Sequence, residues 1–465
     1  MKTTIKLIIS LIICASFSTL TAQNISGDWN GILKIGSVQL RLVFHITSTA
    51  NGYSATMDSP DQGAKGIAMS KTTFENNRIT IELDAAQIKY SALLIGKDSL
   101  SGTFTQAGQS FALPMSRKVM VIQNQIRPQE PSKPYPYHSE EVQFTNKKDN
   151  FALAGTFTKP DKGSNFPVVV LISGSAPQNR DEELLGHKPF LIWADYLTRN
   201  GIAVLRYDDR GCYESKGDFQ SSTTFDFATD VEAAVSYLKT RKDIDASKIG
   251  LMGHSEGGLI APIVAAKNKD IAFVVMLAGP GVSGADILLH QQELIARANG
   301  EAEKEISLSR KMNSQIYALV NSNSNNDTLK TKLSHYLNQT IAEHPELKNQ
   351  KGLNTESLIK QLINPWMLTF IRYNPAPTLE QLRCPVLAVI GSKDLQVPPD
   401  INIPAINNAL EKGRNKKYTV KELPGLNHLL QECTTGSPNE YAGIEQTISP
   451  TALTTVFDWI NDIVK

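Results

Sequence analysis

The sequence is short of cysteine, of net charge and of long apolar runs, and each shortage excludes a class of function. Four cysteines occur in 465 residues, and one of them, Cys14, lies in the apolar leader. Cys212, Cys384 and Cys433 remain, far apart along the chain. They supply neither a thiolate zinc site nor a disulfide framework. One bridge plus a free thiol stays open in an oxidising compartment. Lysine and arginine number 47 against 46 acidic residues, for a net charge of +1. A chain so balanced has no electrostatic case for nucleic acid or an anionic membrane surface, so small, neutral partners are expected. Beyond residue 20 no stretch is long and apolar enough to span a bilayer.

Lys2 and Lys6 precede an apolar stretch from Leu7 to Leu20, followed by Thr21-Ala22-Gln23. This pattern predicts a signal peptide cleaved after Ala22 and hence a secreted or periplasmic protein. The run is too short for a bilayer span, and Ile12-Ile13 before Cys14 are not the small residues a lipoprotein site uses. With 41% hydrophobic and 20% charged residues the composition is that of an ordinary globular protein. The length exceeds what one core usually serves, so two domains and an inserted subdomain are expected.

From 24 to 118 the pattern has period two. Val38, Leu40, Leu42, Phe44 and Ile46 alternate with polar partners, as do Ile79, Ile81 and Leu83, with turn signals at Asn51-Gly52 and Asn76-Asn77. An all-β domain follows, a small barrel or sandwich, and its opening Gly27-Asp28-Trp29-Asn30-Gly31 resembles the G-x-W entry strand of lipocalin-like barrels. His45 on its alternating strand is read as structural. The domain packs against or shields its neighbour, or binds a lipid or glycan. Pro128, Pro131, Pro134 and Pro136 mark residues 119–137 as a stiff linker.

Beyond the linker the period changes. Glu141 to Phe144 and Phe151 to Phe157 read as a hairpin. Val168 to Ile172, Ile202 to Leu205, Phe273 to Leu277, Val386 to Ile390 and Tyr418 to Leu423 read as strands, and Phe190 to Arg199, Thr229 to Lys239 and Thr451 to Val464 as helices. Strands alternating with helices predict a parallel, doubly wound α/β sheet over 138–465. Residues 284–375 are too many for a loop and carry helical periodicity, so they are expected to form an inserted cap. Its aromatic end, Trp366, Phe370 and Tyr373, is a candidate pocket lining.

The chemistry concentrates at Gly253-His254-Ser255-Glu256-Gly257, a G-x-S-x-G sequence between an apolar strand and a small-residue helix. This is the pattern of a nucleophile elbow, in which a strained turn exposes the serine hydroxyl at a helix N-terminus. A serine needs a base, and the base needs a carboxylate to hold its tautomer. In such a sheet they follow in the order Ser, Asp, His at the ends of later strands. Asp394 follows the Val386 strand in Gly391-Ser392-Lys393-Asp394, and His428 follows the Tyr418 strand in Pro424-Gly425-Leu426-Asn427-His428. Asp400 and Glu432 are the reserve carboxylates. His254 is expected to pack, and His187, His290, His335 and His344 to be surface or lid residues. The oxyanion donors are assigned to the Glu256 and Ser175 backbone N–H groups, with Ala176 as the alternative to Ser175 and a further candidate for the pocket.

Ser173 to Asp181 (SGSAPQNRD), Arg206 to Gly211 (RYDDRG), the Ser255 elbow, GSKD and GLNH together resemble the α/β-hydrolase superfamily. Their closer likeness is to its secreted bacterial esterases filed with the S33 and S9 serine aminopeptidases. The resemblance spans about Glu140 to Lys465 and implies a mostly parallel eight-stranded sheet. It also implies acyl transfer to serine and then hydrolysis, with no metal or cofactor. Ala176 stands where that branch usually has glycine, and Cys212-Tyr213-Glu214 replaces a glycine-containing turn. Arg206, Asp208, Asp209 and Arg210 are expected to form a structural ion network. Small carboxylic esters are the expected substrates. The alternatives are an aminopeptidase on short peptides, with Glu293, Glu301 or Glu303 anchoring the amine, and a glycan- or lipid-binding protein with a degenerate hydrolase domain.

Overall fold

The computed structural model describes residues 25–35, 38–62, 64–106, 109–119, 127–344 and 355–465. The expected signal segment lies outside them. Ten strands come first: β1 (Gly27–Ile35), β2 (Val38–Thr49), β3 (Gly52–Ser59), β4 (Ala64–Ala68), β5 (Lys71–Glu75), β6 (Arg78–Leu83), β7 (Ile88–Ile95), β8 (Ser99–Gln106), β9 (Gln109–Ala112) and β10 (Met115–Ser116). They form one antiparallel sheet in the order β4-β3-β2-β1-β10-β8-β7-β6-β5, with β9 on β8. The chain crosses between its edges at Met69-Ser70. The Met69 N–H donates to Ala55 on β3 at 3.0 Å and the Ser70 N–H to Glu82 on β6 at 2.8 Å. The sheet therefore curls over one core, in which Trp29, Phe44, Ile79, Ile81 and Tyr90 are fully buried. Of the two expected forms this is the barrel-like one, since a sandwich needs two facing sheets.

The second sheet holds β11 (His138–Asn146), β12 (Phe151–Lys159), β13 (Phe166–Ile172), β14 (Ala203–Tyr207), β15 (Ile244–His254), β16 (Phe273–Leu277), β17 (Val386–Gly391) and β18 (Tyr418–Leu423). Its order is β11-β12-β14-β13-β15-β16-β17-β18. The β11–β12 hairpin joins β14 antiparallel, and every pairing from β14 onward is parallel. β14, β16 and β17 are buried along their whole length, which is why they read as unbroken apolar runs rather than alternating ones.

Successive residues of β13 feed opposite layers. Val168 and Val170 pack with Val231 of α2 (Thr224–Leu238, after α1 at Pro189–Arg199) and Leu259 of α3 (Gly257–Lys267). Val169 and Leu171 pack with Trp193 of α1. Among the described residues, the helices between β16 and β17 are α4 (Gly284–Ala298), α5 (Glu303–Ser322), α6 (Asn326–Glu343), α7 (Thr355–Leu362), α8 (Pro365–Arg372) and α9 (Ala376–Leu379). They carry a core of their own, including Val320, Leu333 and Ile371. α10 (Pro399–Lys412) and α11 (Pro450–Val464) complete the layers. Cys212, Cys384 and Cys433 are all free thiols. Burial pushes Cys212 up to about 12 and Cys384 up to about 11, so neither is a thiolate at neutral pH.

Candidate active site

The C-terminal ends of β13, β15, β17 and β18 converge, and the chemistry-bearing residues sit on the loops that leave them. Ser255 follows β15 directly with φ +52°, in the left-handed region that a non-glycine residue rarely adopts. The strain is held by neighbours: the Ser255 N–H donates to Leu277 O at 2.9 Å and the Gly258 N–H to Ser255 O at 2.9 Å. The flanking glycines are sterically required. A Cβ at Gly253 would stand 1.9 Å from the Gly257 carbonyl oxygen, and one at Gly257 would stand 2.2 Å from that of Ile172.

The fold brings Asp394 and His428 together. His428 Nδ1 lies 2.8 Å from Asp394 Oδ2, and the other carboxylate oxygen accepts the Gln396 and Val397 N–H groups, each at 2.8 Å. Both residues are buried. A carboxylate held by two amides faces Nδ1 with an acceptor, which puts the ring proton on Nδ1 and leaves Nε2 as the basic nitrogen. Gly391 permits this loop pairing, since a Cβ there would come within 2.2 Å of Leu426 O. The reserve carboxylates are engaged elsewhere, Asp400 with the Ile401 N–H and Glu432 with the Ser449 hydroxyl. Ser255 and His428 line one pocket of about 90 Å³ with Gly174, Ser175, Leu184 and Gln396.

The loop after β13 reaches the same pocket. A Cβ at Gly174 would lie 3.2 Å from the Ser255 Cβ, so the backbone passes directly beside the serine. Among the described residues, neither the Ser175 nor the Glu256 N–H has a hydrogen-bond partner. Both are free for an external acceptor. Ala176 has φ +74°, so a side chain occupies a left-handed position suited to glycine. Asp209 ties the loop down by accepting the Ser173 hydroxyl at 2.5 Å and the Gln178 N–H at 2.9 Å.

The expected ion network is instead a set of separate anchors. Asp208 holds Arg180 at 2.7 Å, Arg210 grips Asp230 through two bonds, and Arg206 pairs with Asp181. Arg206, Asp208 and Asp209 thus all tie down the loop after β13, through Asp181, Arg180, and Ser173 with Gln178, while Arg210 is turned to α2.

Of the cap aromatics, Trp366 reaches the elbow: its Nε1–H donates to Glu256 Oε1 at 2.8 Å, and its ring stacks on Phe370 at 5.3 Å. Phe370 is buried in the core of the main sheet, and Tyr373 packs edge-on to Phe225 with its hydroxyl on Thr378. Glu256 also accepts the Thr224 hydroxyl at 2.6 Å. With no cation beside it, burial raises its carboxyl above the usual range despite those two bonds.

Two histidines differ from expectation. His187, read as a surface or lid residue, is fully buried, with Nδ1 at 2.9 Å from Thr447 Oγ1 and Nε2 at 2.9 Å from Tyr441 O. Burial drives it down to about 4, so it is neutral. His254 does more than pack: Nδ1 lies 2.9 Å from Glu182 Oε1 and Nε2 3.0 Å from His428 O. Glu182 itself, buried and also accepting the Gly174 N–H at 2.9 Å, escaped the sequence reading because His254, its other partner, is 72 residues away at the end of β15. Among the described residues no group of three or more His, Cys, Asp or Glu side chains is placed to hold a metal ion, and no helix is long and apolar enough to cross a membrane.

The chain is 37% identical over 128 residues to esterase EstD of Thermotoga maritima, a match covering 28% of this chain and 30% of that one. It is 21% identical to an uncharacterized 31.7 kDa protein of Escherichia coli, over 60% of this chain and 89% of the relative. The Pyrococcus furiosus esterase Pf2001 superposes with a TM-score of 0.44 at 15% identity, covering 71% of this chain and 92% of that structure. Est1E of Butyrivibrio proteoclasticus, solved with ferulic acid bound, gives 0.40 at 16% identity, over 70% and 98%. The family described as serine aminopeptidase, S33, matches residues 190–432, more than half of the chain, and the protein belongs to this family of α/β-hydrolases.

Proposed function

We propose that this protein is a secreted serine hydrolase that cleaves small carboxylic esters through an acyl-enzyme on Ser255. In this reading His428 Nε2 takes the Ser255 proton as the hydroxyl attacks the ester carbonyl. The Ser175 and Glu256 amides hold the oxyanion, and His428 returns the proton to the leaving alcohol. Water then repeats the sequence to release the acid. The observation that carries it is that His428, held by Asp394 at 2.8 Å, lines one pocket with a strained Ser255. The printed name of the Thermotoga relative supports an ester substrate. Export would follow from the leader ending at Ala22, and the division into a β domain at 24–118, a linker and a hydrolase domain with its cap at 284–375 completes the proposal.

The family's description raises peptides as a second substrate class. A free amine needs an acidic anchor, and Glu293 and Glu303 in the cap are already paired with Arg297, Glu293 with Arg310 as well. Glu182 in the pocket is engaged by His254 and Gly174. Esters therefore fit better. The test is turnover of p-nitrophenyl acetate and butyrate against aminoacyl and prolyl p-nitroanilides, with Ser255→Ala as control. Esters should be cleaved faster, and Ser255→Ala should lose at least about 10³-fold. Faster anilide cleavage would reverse the substrate assignment, and activity surviving in Ser255→Ala would end the mechanism.

A further inference from the structure

His254 sits between two acceptors, and that geometry fixes its protons. The His428 carbonyl at 3.0 Å can only accept, so Nε2 carries a hydrogen. The remaining proton belongs to the contact between Nδ1 and Glu182 Oε1 at 2.9 Å. That same oxygen accepts the Gly174 N–H at 2.9 Å, the arrangement of an ionised carboxylate. His187 supplies the contrast within this molecule, since Thr447 Oγ1 can donate to its Nδ1 and one ring proton satisfies both contacts.

We propose that His254 is held as an imidazolium paired with the Glu182 carboxylate, and that this buried pair is a positioning unit clamping the Gly174–Ser175 loop to the His428 loop. The inference rests on the serine-hydrolase reading for its catalytic consequence, but not for the protonation state. Glu182 bonds the backbone of the loop beside Ser255, and His254 bonds the backbone of the residue assigned as the base. The two arms of the site are thereby held at a fixed spacing through one charge pair. The titratable groups facing His254 are Glu182, from the loop after β13, and Asp394 and His428, from the loops after β17 and β18. Its other neighbours, Pro189, Phe190 and Trp193 of α1, Leu277 of β16, and Leu429 and Leu430, are uncharged. Burial alone would push the imidazole down, yet Glu182, the His428 carbonyl and Asp394 together raise it above the ordinary histidine value.

The His254 and His428 rings lie 4.9 Å apart between centroids, so the pair supports the ring of the base as well as its backbone carbonyl. Removing the cation alone leaves a buried, uncompensated carboxylate beside Gly174, and removing both charges removes that penalty.

Two measurements on the full-length chain test this. With ¹⁵N-labelled histidine, the wild-type protein should show one ring whose two N–H groups both persist and exchange slowly at pH 8, absent in His254→Asn. A singly protonated His254 at neutral pH overturns the proposal, and wild-type spectra decide this even where a variant fails to fold. On p-nitrophenyl acetate, His254→Asn should lower kcat by about tenfold or more with KM little changed, because the two arms of the site lose their fixed spacing. Glu182→Gln/His254→Asn should recover part of that loss. A fall in activity of His254→Asn matched by an equal fall in folded protein, with kcat per folded molecule unchanged, would mean a structural role only and would overturn the positioning claim. Because the NMR readout needs no turnover, its failure is separable from that of the Ser255 mechanism.

Discussion

At the scale of single residues, the site depends on which proton each imidazole carries. Asp394 spends one oxygen on two backbone amides and offers the other to His428 Nδ1, so its job is orientation and charge. Asp394→Asn keeps the shape but can present an N–H to Nδ1, which forces the ring into the tautomer with Nε2 protonated and unable to act as base. A fall in kcat of about 10³–10⁴-fold on p-nitrophenyl acetate at pH 7, with KM little changed, is the expected outcome. A loss below tenfold would mean that another group orients His428. The positions of Ser255, Asp394 and His428 at strand ends were legible from the sequence, because Ser255 and Asp394 follow buried strands and His428 follows the half-exposed edge strand β18. Glu182 and His187 were not. Their partners, His254 at the end of β15 for the first and Tyr441 and Thr447 for the second, are distant segments that only the folded sheet brings near, and the polar run Gly186-His187-Lys188-Pro189 reads as surface.

At the scale of elements, the cap is joined to the nucleophile helix at one polar point. Trp366 on α8 and Thr224 at the start of α2 both donate to Glu256, whose backbone opens α3. Trp366→Phe preserves the ring stacked on Phe370 but removes one of two donors to a buried carboxyl. It should therefore lower stability by about 1–3 kcal/mol in urea denaturation. Glu256→Gln in that background should recover part of the loss, because a neutral amide tolerates burial better than a carboxyl without its donor. No difference between Trp366→Phe and wild type would show that the bond contributes nothing net. The elements themselves were unevenly readable. β16 and β18 were predicted to the residue, the first because its five apolar residues form one unbroken run and the second because Pro424-Gly425 stops it. α2 begins five residues earlier than its apolar periodicity suggests, because Thr223 and Asp226 form a capping box that starts the helix before its first core contact. In the cap, periodicity announced helix, but the breaks are set by side-chain caps at Ser283, Asn325 and Asn364.

At the scale of the whole molecule, segments distant in sequence are stitched together behind the site. Buried Arg127, just before the proline-rich stretch, donates to the carbonyls of Leu185, Ala442 and Ile444. Gln129 accepts the Thr447 and Ile448 N–H groups, and His187 bridges Tyr441 and Thr447. Arg127 and Gln129 of the expected linker thus pack into the segments around 185 and 442–448, which composition alone did not reveal. His187 makes this junction sensitive to acid. Its folded value near 4 lies below the unfolded 6.5, because burial disfavours the charged ring. Between those values the unfolded chain binds a proton that the folded chain refuses. Stability from this group is therefore complete above pH 6.5 and is lost progressively as the pH falls toward 4, by on the order of 2–3 kcal/mol. His187→Gln keeps a neutral donor and acceptor at the junction but has nothing to titrate. Urea midpoints measured from pH 7.5 to 4 should fall less steeply for this variant than for the wild type, and the two curves should converge at the acid end. Parallel curves over the whole range would show that the junction's acid sensitivity comes from other groups.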